Sequence, residues 1–456
     1  MRKALIIVAL LLAAAFIGGK LIAQALMPAP GQAIAADPEQ VHRGEAFLDL
    51  LDAGHYEDAL AMTTPRVREA LADGKLQQVW EKLPKQLGER ASRSPLRGES
   101  VGGTAMVVST LKYSMLSLDA RIVFADDGLI DSFRIVPAAA AAPAPAAPVA
   151  SDTFSEREFS VGEPERALPG TLTLPKGSGP FPAVILVHGS GPHDRNESIG
   201  PNAPFRDIAH GLAERGIASL RYEKRTKARP EDFASMDFTV DEETVDDAVA
   251  AVAALRSMKD IKPDAVFIAG HSLGALMAPR IGQRAPEAAG LILLAAPARP
   301  LQDIVLEQFE YLAAADGQLS TEEREHLDAE HAKAAKIATL ATNSRAEDNL
   351  LGLPARYWLD LNAYDPVAVA KSITQPLLIL QGGRDYQVTA KGDFPIWQEA
   401  FFGKPRAAMN LYPALNHLFI AGEGASTGAE YMQAGKVDER VIADIAQWIK
   451  AAHETH

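Results

Sequence analysis

Gly270-His271-Ser272-Leu273-Gly274 lies between the apolar run DAVFIAG and the segment LGALMAPRIGQR. That spacing predicts a serine on a tight turn from a strand into a helix. The residues two before and two after such a serine must be small, because the turn is crowded and its backbone strained. The hydroxyl then projects above the sheet, and the helix N-terminus directs partial positive charge toward it. A serine hydroxyl is a weak nucleophile until a base removes its proton, and a histidine base needs a carboxylate to hold its tautomer. On a strand–helix alternation the chain order is serine, acid, histidine. Downstream, PLLILQG runs into Gly382-Gly383-Arg384-Asp385, and AAMNLYP into Ala414-Leu415-Asn416-His417. Asp385 and His417 are therefore the candidate acid and base, each at the carboxyl end of a strand, where open α/β sheets bind ligands. The competing acid, Asp365 in NAYDP, reads better as a helix cap, and His326, His331, His453 and His456 fall in a charged segment or the tail.

Acyl transfer also develops negative charge on the carbonyl oxygen, which requires N–H donors aimed in advance. His188-Gly189-Ser190-Gly191-Pro192 leaves the apolar run PAVILVHG with glycines on both sides of Ser190. The amides of Ser190 and Leu273 are the candidate donors. His188, Gly191, His271, Tyr357, Trp358 and Tyr386 are candidates for lining a substrate pocket, although the three aromatic residues fit a core equally well. Asp194-Arg195-Asn196-Glu197 reads as a hydrogen-bonded loop beside the pocket. Arg221-Tyr222-Glu223-Lys224-Arg225-Thr226, unusually polar for the start of a crossover, reads either as substrate-binding or as a buried ion pair near the floor of the site.

No cofactor or metal is expected. The chain has no G-x-G-x-x-G after a strand, no G-K-[ST] phosphate loop and no H-E-x-x-H, and the pair His188 and His193, which flank a loop with Asp194 nearby, has no third clustered ligand. With no cysteine there is no thiol nucleophile, disulfide or cysteine-held metal. A formal charge of -14 over 456 residues argues against a nucleic-acid partner, which would need a basic footprint.

The elements that must position these residues follow from hydrophobic periodicity. From Ser151 the runs EREFSV, ALPGTLTLP, PAVILVHG, IASLRYE, DAVFIAG, GLILLAA, PLLILQG and AAMNLYP alternate with helical segments. The near-continuous apolar runs are those of parallel strands covered on both faces. The expected fold class is α/β: a doubly wound, mostly parallel sheet of about eight strands over residues 151–456. An oversized connection at about 300–366 is expected to form a helical cap over the strand ends, or decoration away from any ligand. Residues 37–136 run from helical periods into period-2 segments such as TAMVVSTLKY and SLDARIVFA, which predicts a small α+β domain of three helices and antiparallel strands. Residues 137–150, almost entirely Ala, Pro and Val, read as a semi-extended linker. Residues 1–36 read as a secretory signal, with Arg2 and Lys3 ahead of an uncharged run and small residues near Ala35. The alternative is an uncleaved anchor that tethers the chain to the inner membrane, facing the periplasm.

At these residues the chain from about 155 to 452 resembles the α/β-hydrolase superfamily, and within it bacterial serine esterases near the carboxylesterase and serine-aminopeptidase-like branches. LVHGSGPHDRNE, IAGHSLG, ILQGGRDYQVT and LNHLF are similar to signature segments of that group and occur in order. The resemblance implies Ser272 as nucleophile, Asp385 as acid partner, His417 as base, and the Ser190 and Leu273 amides as the oxyanion hole. Residues 43–136 resemble a small cone-shaped, cystatin-like α+β module of unknown function fused ahead of such esterases. Tyr222 to Thr226 departs from the aspartate and glycine that many relatives carry in this turn. The implied activity is hydrolysis of small acyl esters by a periplasmic or secreted enzyme. Peptidase or amidase activity, acyl transfer and thioester cleavage are the alternatives on the same fold, and a non-enzymatic periplasmic binding protein is the reading from a different class.

Overall fold

The computed structural model describes residues 32–87, 89–101, 104–113, 117–138, 151–233, 235–314, 317, 319, 321–344 and 350–454. The expected signal or anchor up to residue 31, and the linker from 139 to 150, lie outside the described residues. The chain divides into two compact units.

The smaller unit is α+β. After β1 (Gln32–Ile34) come α1 (Pro38–Asp52), α2 (Tyr56–Ala61), α3 (Pro65–Ala70) and α4 (Lys75–Leu87), four helices where the periodicity predicts three. Pro65 at the first turn of α3 separates it from α2, since proline suits a helix start and not its interior. β2 (Arg90–Arg93), β3 (Arg97–Val101), β4 (Thr104–Tyr113), β5 (Ser117–Phe124) and β6 (Ile130–Pro137) follow, all antiparallel, in the order β1-β3-β4-β5-β6, with β2 also paired to β4. Phe47, Leu48 and Leu51 of α1 and Trp80 of α4 pack against Val107, Leu111, Leu118, Ala120 and Ile122, which share one face of the sheet.

The larger unit opens with the antiparallel pair β7 (Phe154–Val161) and β8 (Leu168–Pro175), followed by β9 (Phe181–Val187), α5 (Pro204–Ala213), β10 (Ala218–Tyr222), a short α6 (Arg225–Ala228) and α7 (Asp246–Arg256). Then come β11 (Ile261–His271), α8 (Leu273–Arg284), β12 (Gly290–Leu294), α9 (Leu301–Ala313), α10 (Thr321–Ala338), α11 (Ala355–Asn362) and α12 (Pro366–Ser372). The unit closes with β13 (Leu377–Gly382), α13 (Phe394–Ala400), β14 (Ala407–Tyr412) and α14 (Glu439–Glu454). The eight strands form one sheet in the order β14-β13-β12-β11-β9-β10-β8-β7, parallel from β14 to β10 and antiparallel at the β8–β7 edge.

Both faces of the sheet are covered, which is why its central strands read as unbroken apolar runs. Val184, Leu186, Phe267, Ala269, Ile292 and Leu380 pack with Phe205, Ile208 and Leu212 of α5 and Val441, Ile445 and Ile449 of α14. The alternate residues Ile185, Val266, Ile268, Leu291 and Leu293 are equally buried, and α7 and α8 pack against β11. From β9 the chain moves to one side, through β10, and then returns to place β11 on the other side of β9. That reversal makes the carboxyl ends of β9 and β11 the switch point of the sheet, where loops diverge and leave a crevice.

Candidate active site

Ser272 stands directly after β11 with φ 53° and ψ -116°, a left-handed conformation that costs a non-glycine residue on the order of 1–3 kcal/mol. Its N–H donates to Leu294 O at 2.9 Å, tying the turn to β12. The flanking glycines are steric requirements. A Cβ on Gly270 would lie 2.1 Å from Gly274 O, and a Cβ on Gly274 would lie 2.2 Å from Val187 O. Leu273 begins α8, so its amide is among the N-terminal N–H groups that the helix cannot satisfy.

Asp385 and His417 are buried and meet, with His417 Nδ1 2.7 Å from Asp385 Oδ2. Asp385 Oδ1 accepts the N–H groups of Gln387 at 2.8 Å and Val388 at 3.0 Å, and Gln381 Nε2 donates to Oδ2 at 3.2 Å. The carboxylate is thus fixed from its own loop. Asn416 shapes the histidine loop, its Oδ1 accepting from Leu418 N and Ile420 N. His417 Nε2 is buried without a hydrogen-bond partner, which leaves that nitrogen as the atom able to receive a proton. The serine–histidine hydrogen bond is not formed here, as is common where such bonds tighten only around substrate. Asp365 is elsewhere and occupied: its side chain caps α12, accepting from Val367 N and Ala368 N at 2.9 Å each.

The loop after β9 is pinned at successive groups. Glu197 Oε1 accepts the Gly189 N–H at 2.6 Å, Lys224 Nζ donates to Gly189 O at 2.7 Å, and His193 Nε2 donates to Ser190 O at 2.6 Å. Ser190 N itself has no acceptor among the described residues. Gly191 holds φ 101°, which favours glycine there.

A second acid–histidine contact lies alongside. Glu197 Oε2 is 2.9 Å from His271 Nδ1, and His271 Nε2 donates to the carbonyl of His417 at 2.9 Å. Burial pushes the Glu197 carboxyl up, but the imidazoles of His271, His193 and His188 outweigh it and hold the group at about 2. Burial pushes His271 down, yet Glu197 and the His417 carbonyl raise it above the ordinary imidazole range. His188, buried between Phe205 and Tyr222 and stacked on His193, is pushed down to about 3 by desolvation.

The structure gathers Ser272, His271, Asp385, His417 and the Ser190 loop at the carboxyl ends of neighbouring strands. Tyr386 is adjacent to the acid, sandwiched between Tyr311 at 5.2 Å and Tyr431 at 6.2 Å. Tyr357 and Trp358 lie in α11, fully buried, with the Trp358 indole donating to Leu350 O at 2.7 Å and the Tyr357 hydroxyl to Glu243 Oε2 at 2.5 Å. Both polar tips are thus engaged within the protein. In the insertion, α9 leans on the loop carrying the acid: Gln308 Nε2 donates to Gln387 O at 3.0 Å, and Thr389 Oγ1 to Glu307 Oε1 at 3.0 Å. The sequence places Glu197, Lys224 and His271 near the site, but the pairing of Glu197 with His271 and of Lys224 with Glu243 is not legible in it. No motif joins residues so far apart, and only the folded sheet brings them together. Among the described residues, no three His, Asp or Glu side chains are grouped to hold a metal ion.

Residues 179–423 match a family described as serine aminopeptidase, S33. Residues 44–133 match a family described only as a protein of unknown function, DUF3887. A curated relative, Esterase EstD of Thermotoga maritima, is 38% identical over 407 residues, which cover 89% of this chain and 94% of the relative. Among solved structures, an esterase of Pyrococcus furiosus aligns over 65% of this chain and 91% of its own, at 16% identity and a TM-score of 0.41. Est1E from Butyrivibrio proteoclasticus aligns over 65% of this chain and 99% of its own, at 15% identity and a TM-score of 0.42.

Proposed function

The chain belongs to the serine aminopeptidase S33 family of α/β-hydrolases, and from that membership we propose a serine hydrolase that cleaves small acyl esters through an acyl-enzyme on Ser272. The observation that carries the reading is the buried Asp385–His417 pair at 2.7 Å, whose Nε2 is unclaimed, on the same edge of the sheet as the strained serine.

In this mechanism Ser272 Oγ bonds to the ester carbonyl carbon while its proton passes to His417 Nε2. Asp385 stabilises the imidazolium and holds its tautomer. The tetrahedral oxyanion is received by the N–H groups of Ser190 and Leu273. Collapse breaks the bond to the alcohol oxygen, which leaves with the proton from His417. Water then attacks the acyl-enzyme, giving its proton to His417, and the acid departs as Ser272 Oγ recovers a proton.

The test is covalent labelling and a substrate panel. An organophosphonate should add one group to the protein and none to Ser272→Ala; full labelling of the alanine variant would remove Ser272 from the mechanism. The ester preference rests on EstD, a full-length relative named as an esterase. The family description favours a second reading, aminopeptidase activity. Comparing kcat/KM for two- to twelve-carbon acyl esters and aminoacyl amides decides between them, and higher values on amides would select the peptidase.

Export is part of the proposal, supported by the basic and then uncharged start of the chain. No helix of the described residues is long and apolar enough to cross a membrane. Cell fractionation should recover the protein beyond the inner membrane, lacking about 35 residues, β1 and its pairing to β3 among them, if the leader is removed. Unprocessed protein in the membrane fraction would favour the anchor, and unprocessed cytoplasmic protein would defeat export.

A further inference from the structure

Lys224 is buried, with 2% of its side chain exposed. Burying an ammonium costs several kcal/mol unless it is paired and fully hydrogen-bonded. Here Nζ pairs with Glu243 Oε1 at 2.7 Å and donates to the carbonyl oxygen of Gly189 at 2.7 Å. Glu243, on the π-helical turn 241–245 before α7, uses its second oxygen to accept the Tyr357 hydroxyl at 2.5 Å. The carbonyl takes a second N–H of the ammonium, and the peptide it belongs to is a specific one.

The Gly189 carbonyl and the Ser190 N–H are two ends of one peptide unit. That unit is planar and trans, so its N–H points opposite to its C=O. Drawing the oxygen toward Lys224 therefore aims the Ser190 N–H away from Lys224. The ammonium also polarises the carbonyl, which strengthens the N–H as a donor. The neighbouring peptides are anchored by Glu197 on Gly189 N and His193 on Ser190 O, so between these fixed neighbours the bond from Lys224 is what holds the unit against a flip.

We propose that Lys224, held by Glu243 and Tyr357, is a positioning residue for the oxyanion hole that fixes the Ser190 amide and acts on kcat rather than on substrate binding. The proposal rests on the reading of that amide as an oxyanion donor. Through Tyr357 it also ties α11 of the insertion to the loop after β9.

The test compares the wild-type full chain with Lys224→Met, Lys224→Met/Glu243→Gln and Tyr357→Phe. The double variant removes both buried charges, so it avoids stranding an unpaired carboxylate, and Tyr357→Phe removes a single hydroxyl. The readouts are kcat, KM and the inhibition constant of a trifluoromethyl ketone, which adds to the serine and leaves an oxyanion. Both lysine variants should lose at least ten-fold in kcat, approaching the roughly 10²–10³-fold cost of deleting a hole donor. The ketone should weaken by the same factor while KM stays within two-fold, and Tyr357→Phe should show a two- to five-fold loss of the same pattern. A folded double variant with wild-type kcat and ketone affinity would overturn the proposal, as would a rise in KM at constant kcat. If neither lysine variant folds, an unchanged Tyr357→Phe enzyme overturns it. Failure of the wild type to bind the ketone covalently at Ser272 would instead defeat the hydrolase mechanism itself.

Discussion

Glu197 Oε2 lies 2.9 Å from His271 Nδ1, while the other oxygen of the same carboxylate holds the N–H of Gly189 at 2.6 Å. Because His271 also donates to the carbonyl of His417, one buried side-chain pair joins the loop after β9, the turn after β11 and the loop after β14. These loops carry the proposed oxyanion donor, nucleophile and base.

This pair predicts a pH-dependent contribution to stability. The Glu197 carboxyl, held at about 2, lies below its unfolded value of about 4.3, so its contribution is present above that value and lost as pH falls toward 2. His271 is raised above about 6.5, so its contribution is present below that pH and lost as pH rises through the folded-state value. Both act together between roughly pH 4.3 and 6.5. His188 and His193, held down by burial, work in the opposite direction as pH falls below about 6.5. The His271 contribution is therefore read as a difference: the melting-temperature gap between wild type and His271→Gln should be widest near pH 5 to 6 and shrink at alkaline pH. A gap that stays constant from pH 5 to 9 would show that the proton on His271 does not matter.

Asp385→Asn should lower kcat on the order of 10³–10⁴-fold with the fold intact. The retained oxygen can still accept from Gln387 and Val388, but the amide that replaces Oδ2 cannot hold His417 in its working tautomer. Asp365→Asn should leave kcat unchanged, since asparagine caps helices as well as aspartate does. The reverse pair of outcomes would move the acid to Asp365.

Gly270→Ala and Gly274→Ala should both destabilise the protein and abolish turnover. Each new Cβ meets backbone, at 2.1 Å and 2.2 Å, and backbone cannot swing aside as a flexible side chain can. Overpacking of this kind costs about 1–3 kcal/mol or more, which thermal melting should register as a drop of at least several degrees. An alanine at Gly274 that melts and turns over like wild type would contradict the turn geometry.

A chain beginning at Ser151 should fold and keep its kcat on small esters. All eight strands of the larger sheet follow that residue, and the smaller unit closes a core of its own around Phe47 and Trp80. A rise in KM for small esters in the shortened chain would give the smaller unit a part in substrate binding.

The legible features were those encoded by local periodicity. Unbroken apolar runs marked β9, β11, β12 and β13 because strands buried on both faces leave no room for polar residues. Asp365 before Pro366 was legible as a cap because that chemistry is contained within one helical turn. The glycines around Ser272 were legible for the same reason, being confined to five consecutive residues. In the smaller unit, β2 and β3 were not legible: RASR and RGESV show no apolar alternation, and they are strands because β4 offers them an edge to pair with.

The ties among the loops lay beyond any local pattern. Glu197 with His271, and Lys224 with Gly189, Glu243 and Tyr357, are contacts between residues that the chain order keeps far apart. A charged side chain in a sequence looks the same whether it faces water or is buried. Its partner is chosen only when strand order β12-β11-β9-β10 sets particular loops side by side and excludes water from between them. Burial then makes an unpaired charge too costly to keep, and so the sheet topology, rather than any motif, selects the pairs that hold this site.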